Sequence, residues 1–141
     1  MEYNVYVDGS CVTGGKSRPM RGRIGIYCPE LQMIVSRSVG VRHTTMTVEW
    51  CALVHAMSSL RYVMKPGDSI DFHSDNLSVV YEADQIVVPS EGCRHLWEQF
   101  RNDVAMLKSR DVAVNVHWVP REQNRIADKL TKMKMIGRTG K

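Results

Sequence analysis

Three strand-length stretches follow one another before residue 45, and after it every strand-length stretch is preceded by a helical one. Tyr3-Asn4-Val5-Tyr6-Val7 alternates and favours β structure, with Asp8-Gly9-Ser10 at its carboxyl end. Arg23–Cys28 and Leu31–Ser38 flank Pro29-Glu30 as a hairpin. From Thr45 to about Met64 the period lengthens: Met46, Trp50, Leu53, Met57, Leu60 and Met64 recur at helical spacing, and Pro66-Gly67 stops the run. Ser69–Ser74 is a short strand, and Asn76–Gln85 a short helix. Arg94–Lys108 repeats Leu96, Trp97, Phe100, Val104 and Leu107 helically. Val112–Val119 alternates and closes at Pro120, and a last helix starts at Arg125. Strands joined by turns can form a meander, whereas strands separated by helices enter a sheet parallel, by right-handed crossovers. The order β-β-β-α-β-α-α-β-α therefore predicts an α/β fold with a mixed sheet and helices packed on it. Sites in such sheets favour the carboxyl ends of the parallel strands.

With 141 residues, 43% hydrophobic and 24% charged, the chain suits one globular domain, taken as residues 1–136, followed by a loose basic tail at 137–141. No apolar run reaches the roughly 18 residues that cross a bilayer, and MEYNVYVDGS lacks the pattern of a secretory signal. The expectation is a cytoplasmic protein with no membrane partner. Four cysteines without a C-x-x-C pair, and five scattered histidines, argue against a zinc site and for reduced, mostly buried thiols. Residues 121–141 hold seven Lys/Arg against two acids, a balance of +5, which leaves −1 for the rest. GGKSRPMRGR at 14–23 adds four positive residues and no acid. Such patches suit a phosphate backbone or a solvated surface alike.

Four carboxylates stand in places where local structure explains them unequally. Asp8 ends the first strand and Asp75 follows Ser69–Ser74, so parallel neighbours would deliver both acids to one sheet end. Asp8 before Gly9 could equally be a turn, and Asp75-Asn76 a helix start. Glu49 lies within about 50° of the centre of the Met46/Leu53/Leu60 stripe, so it faces inward. A capping box cannot account for it, because Met46 stands where Ser or Thr is needed. No Lys or Arg lies between Arg42 and Arg61 to pair it locally. An inward carboxylate must be paired, protonated or bound to a cation. Asp128 lies off the Ile126/Leu130/Met133 stripe of its helix, either favoured by the dipole behind an Asn124 N-cap or aimed at the same sheet end. Oxygen ligands without His or Cys select Mg²⁺ or Mn²⁺ over zinc.

VYVDGSC, TVEWCALVHAM, FHSDN and VPREQNRIADKL together resemble, in order, the four acidic motifs of type 1 ribonuclease H, over residues 3–133. The short last motif is similar to the compact archaeal and plant-type branch. The resemblance implies a ribonuclease H-like fold with a five-stranded mixed sheet, three antiparallel strands and then parallel ones. It also implies cleavage of the RNA strand of RNA/DNA hybrids with two Mg²⁺ ions, for which Mn²⁺ may substitute, leaving 5′-phosphate and 3′-hydroxyl ends. Asp8 would bridge both ions, Glu49 and Asp75 would hold the ion on the leaving-group side, and Asp128 the ion on the water side. Gly9, Ser10, Cys11, Thr45, Asn76 and Arg121 are the expected substrate contacts. A monomer is expected, with double-stranded RNA a further candidate substrate.

The chain departs from the family in three respects. The loop Arg121-Glu122-Gln123 lacks the histidine many members carry before the last acid, leaving Arg121 or Glu122 to assist proton transfer or product release. Thr44-Thr45-Met46-Thr47 stands in place of an Asn pair. No basic helical handle interrupts residues 75–112, so substrate grip falls to residues 16–23 and the last helix. Two other readings share the fold: a non-catalytic nucleic-acid-binding module, against which four acids beside phosphates argue, and a DNA nuclease or integrase-type enzyme, which usually spaces its acids differently. Ile86-Val87-Val88-Pro89 is read as core.

Overall fold

A computed structural model describes residues 1–12, 21–41 and 44–133. Most of the basic stretch at 14–23, and the tail at 137–141, lie outside these residues. The elements run β1 (Glu2–Val12), β2 (Arg21–Cys28), β3 (Met33–Val41), α1 (Thr45–Leu60), β4 (Ser69–Ser74), α2 (Leu77–Ala83), α3 (Arg94–Ser109), β5 (Ala113–Trp118) and α4 (Arg125–Thr131). Single 3₁₀ turns occupy Pro29–Leu31, Glu91–Cys93 and Arg121–Gln123. The five strands form one sheet in the order β3-β2-β1-β4-β5. β1 pairs antiparallel with β2 and β2 with β3, while β1–β4 and β4–β5 are parallel. The five-stranded mixed sheet expected from the sequence, three antiparallel strands and then parallel ones, is therefore present.

Alternation along the strands sorts the two faces. Val5, Val7, Ile24, Ile26, Ile70, Phe72 and Val116 are buried on the face that meets α1 and its neighbours. Phe100 of α3 packs edge-on against both Trp50 and Phe72, with ring centroids 5.7 and 5.8 Å away. α1 is enclosed far beyond one stripe, since Val48 through Val54 are all buried. It also ends at Leu60 rather than Met64. Lys65, preceding Pro66, is disfavoured from helical geometry, and Arg61 instead reaches Asp103 of α3 at 2.7 Å. The helix starts on a capping box between Thr44 and Thr47, which leaves Glu49 free of capping duty.

Two other expectations fail. Ile86 and Val88 are exposed by 67% and 75%, and Val87 by about half; only Pro89 of that run is buried. Gln85 adopts φ 63°, and the Tyr81 carbonyl accepts from the N–H groups of both Ile86 and Val87, so the chain curls outward as α2 ends. In α4 the buried residues are Ala127, Leu130 and Thr131, while Ile126 and Met133 are half exposed. The reason is close docking of a short helix. α4 lies on the opposite sheet face from α1, and a Cβ on Gly25 would run into the Ala127 carbonyl and stand 2.8 Å from the Leu130 Cβ. Arg23 Nε donates to the Thr131 carbonyl at 3.1 Å and Ser36 Oγ to the Leu130 carbonyl at 2.6 Å, satisfying the end of the helix. The four cysteines are free and three are buried. Among the described residues no helix is long and apolar enough to cross a membrane.

Gly25→Ala should unseat α4, because the obstructing atoms are helix backbone and cannot swing away. Overpacking of this kind costs about 1–3 kcal/mol. Denaturant unfolding measures it, and an unchanged midpoint would show that α4 can be displaced freely.

Candidate active site at the end of the parallel strands

The site begins with a step in the sheet. The β1–β4 ladder ends at Val7↔Ser74, but β1 continues to Val12 against β2 alone, with Asp8 opposite Gly25. Asp8 is thus mid-strand rather than terminal, and it stands just past the point where β4 stops. Asp75 is the first residue beyond β4. The two acids emerge side by side because their strands are adjacent and parallel.

Glu49 reaches them from α1. Its Oε1 accepts the Gly9 N–H at 3.0 Å, and its Oε2 lies 3.4 Å from Asn76 Nδ2. The approach requires glycine, since a Cβ at residue 9 would lie 2.7 Å from the backbone of Val48. One carboxylate oxygen from each of Asp8, Glu49 and Asp75 falls within 4.8 Å of the others. Asp8 and Glu49 are buried, and Asp75 is half-buried.

Asp128 lies outside this group of three but against it, since its side chain hydrogen-bonds to that of Asp8. Lys132, one turn on, holds Asp128 Oδ2 at 3.2 Å. Asn124 does not use its side chain as a cap. Its Nδ2 donates to the Val7 carbonyl at 3.0 Å, pinning the loop before α4 to β1 where the β4 ladder ends. No sequence spacing marks that bond, which joins residues 117 apart. Lys132 stands four residues after Asp128, a spacing that pairs side chains on a helix, but read as one of seven positive residues in a basic run it goes unremarked.

The other candidates are placed as follows. Gly9 is buried and spends its N–H on Glu49. Ser10 and Cys11 continue β1 and are partly exposed, with the Cys11 thiol hydrogen-bonded to Thr45, the exposed first residue of α1. Asn76 caps α2 through Oδ1 while Nδ2 meets Glu49. Arg121 is largely exposed, its Nε 4.0 Å from Asp75 Oδ2. His117 bonds to Asp71 at 2.8 Å and stacks on His73, on the sheet face opposite the inward valines.

Crowded carboxylates hold protons. Asp8 is pushed up to about 9 by burial first, then by the charges of Glu49, Asp75 and Asp128. Glu49 rises to about 7 through burial and the Asp75 charge, against the pull of its hydrogen bonds from Asn76 and Gly9. Asp75 is raised too, chiefly by burial, with Asn124 and Arg121 opposing. A hard divalent cation would relieve this repulsion and displace the protons. The donor set, carboxylate oxygens without imidazole or thiolate, fits such an ion.

The ribonuclease H1 of the archaeon Halobacterium salinarum superposes with a TM-score of 0.71 at 20% identity, covering 92% of this chain and 94% of that one. LC11 ribonuclease H1, solved in complex with an RNA/DNA hybrid, gives 0.69 at 20% identity, covering 98% and 99%. The prototype foamy virus ribonuclease H domain gives 0.65 at 18%, covering 92% of each. No curated protein sequence matches the chain. The fold is thus that of ribonuclease H. The reverse transcriptase-like family matches residues 27–134, and the chain belongs to it. That match begins after β1 and so does not include Asp8.

A pH dependence follows. The unfolded chain ionises Asp8 near an ordinary carboxyl value of about 4, whereas the folded, cation-free protein keeps that proton up to about 9. Within this window the folded state binds more protons, so stability falls as pH rises. The melting temperature of cation-free protein should drop between about pH 5.5 and 8.5 more steeply than that of Asp8→Asn, and excess Mg²⁺ should recover the loss. Parallel pH profiles for the two proteins would refute the assignment.

Proposed function

We propose that this chain is a metal-dependent endonuclease that hydrolyses the RNA strand of RNA/DNA hybrids, leaving 5′-phosphate and 3′-hydroxyl ends. The observation that carries the reading is the meeting of Asp8, Glu49 and Asp75, from three separate elements, within 4.8 Å at the carboxyl end of parallel strands. Asp128 stands behind Asp8 as the fourth carboxylate. The complex of LC11 ribonuclease H1 with an RNA/DNA hybrid supports the substrate class. The domain would span residues 1–136 and act as a monomer, with Mg²⁺ as the ion and Mn²⁺ able to replace it.

The four acids would hold the ions. Bound there, divalent ions supply an activated water and stabilise the oxygen that departs from a phosphodiester. The protein does the rest. Gly9 N–H and Asn76 orient Glu49, and Asn124 ties the α4 loop to β1. Arg121, beside Asp75 and open to solvent, is placed to meet a phosphate. Ser10, Cys11 and Thr45 border the site from β1 and α1, where an RNA strand with its 2′-hydroxyls would run. Recognition of that hydroxyl separates RNA from DNA.

A labelled hybrid, a duplex RNA and a duplex DNA, each with Mg²⁺, Mn²⁺ or Ca²⁺, test the reading. Cutting of the hybrid's RNA strand with Mg²⁺ is expected. Binding without cutting would make the chain a recognition module, and cutting of duplex DNA would assign it another nuclease class. Asp8→Asn should abolish cleavage with hybrid affinity within about threefold of native, a drop of about a hundredfold or more in turnover being typical of one electrostatic group. Retained turnover would remove Asp8 from the chemistry. The exposed Arg125 and Lys129 should contribute to binding by neutralising phosphates. Replacing both with Gln should flatten the slope of log affinity against log salt by up to about 0.9 for each phosphate that is no longer neutralised. An identical slope would return them to solvated surface.

A further inference from the structure

Trp118 ends β5 at the same edge of the sheet as the carboxylates, and half of it is exposed to solvent. The alternation that buries Val116 should bury this residue as well. The other two tryptophans are committed inside the protein. Trp50 is fully buried, with its Nε1 donating to the Glu82 carboxylate at 2.7 Å, and Trp97 packs on the core and donates to the Glu82 carbonyl at 2.9 Å. Trp118 instead donates its indole N–H to the backbone carbonyl of Asp75 at 3.3 Å. One edge of the ring is therefore anchored on a residue of the acidic set, while much of its apolar surface has no protein to cover it. Arg121 stands near the side chain of the same Asp75, at 4.0 Å.

From this placement we infer that Trp118 is a substrate-contact residue whose indole face packs on the sugar of a nucleotide flanking the phosphate that is cut. The inference rests on the nuclease reading above. Base faces inside a duplex are already stacked on one another, so an aromatic ring at the rim of the site meets sugar C–H surface rather than a base. Asp75 then connects two contacts: its carboxylate faces the reacting phosphate, and its carbonyl sets the ring that covers the neighbouring sugar. The exposed guanidinium of Arg121 meets the adjoining phosphate. A flat ring held at one edge loses little freedom on binding, which suits it to fix the register of a strand.

The test uses the whole protein with an RNA/DNA hybrid, and Ca²⁺ in place of Mg²⁺ for the binding arm. Hybrid should change the tryptophan emission and protect it from acrylamide quenching, since Trp118 is the half-exposed tryptophan and the other two are packed or buried. Trp118→Leu should abolish that protection and raise KM about tenfold, the loss expected when the apolar contact of one large side chain is removed, with kcat changed less than KM. Trp118→Phe keeps the ring face without the N–H and should recover most of the affinity. If Phe is as impaired as Leu, the N–H bond to Asp75 is the whole role and the sugar contact is refuted. Native protein that cuts the hybrid with no protection of its tryptophan overturns the inference and leaves the nuclease reading standing. Native protein that neither binds nor cuts the hybrid overturns both. The acrylamide arm needs no variant, so the outcome does not depend on either substitution folding.

Discussion

The contact between the Glu49 carboxylate and the Gly9 N–H sets the spacing of everything around the site. A helix can lie this close to a strand only where no Cβ intervenes, and at residue 9 any side chain would strike Val48. The glycine thus does two things at once. It admits α1 to the sheet, and it turns a backbone amide towards an acid that has no basic neighbour in its own helix. Moved outward by the width of a methyl group, Glu49 would draw away from Asp8 and Asp75 and from the Gly9 amide.

Much of this was readable from residue patterns, for identifiable reasons. The order of strands and helices followed from the change of period at Thr45 and from chain connectivity, and those are local properties. Glu49 stood out because an acid on an inward face has few excuses. What the patterns could not reveal were relations fixed by distant partners. Asn124 looks like a helix cap, because nothing in VPREQN shows that the Val7 carbonyl, 117 residues away, competes for its amide. Asp8 looks like a strand end, because the length of β1 is set by its pairing with β2, and only the length of β4 creates the step. Ile86 to Val88 looks like core by hydrophobicity alone, whereas the backbone bonds to Tyr81 carry it outward.

The electrostatic cost of the arrangement is visible in the same atoms. Burial and mutual repulsion hold Asp8 and Glu49 far above ordinary carboxyl behaviour, and the protein offsets this with amide donors and with peripheral cations. Arg121 sits beside Asp75 and Lys132 beside Asp128, both on the solvent side. Arg121 also draws Glu49 down, but burial and the neighbouring acids outweigh it, so the two most buried acids keep their demand for positive charge. A site that is uncomfortable when empty binds a cation more strongly than one already satisfied by its own side chains.

The step between β1 and β4 also has a consequence for how the chain matures. Val7 pairs with Ser74, and the loop before α4 returns to Val7 once more through Asn124. β2 closes one side of the first strand at once, but its other side is closed only by segments made much later, and contacts this far apart in the chain form slowly. During synthesis the β1–β2–β3 meander must wait for its parallel neighbour β4. The fourth acid arrives last, on a helix that cannot seat until the sheet beneath it exists, so an unfinished chain carries an incomplete set of carboxylates.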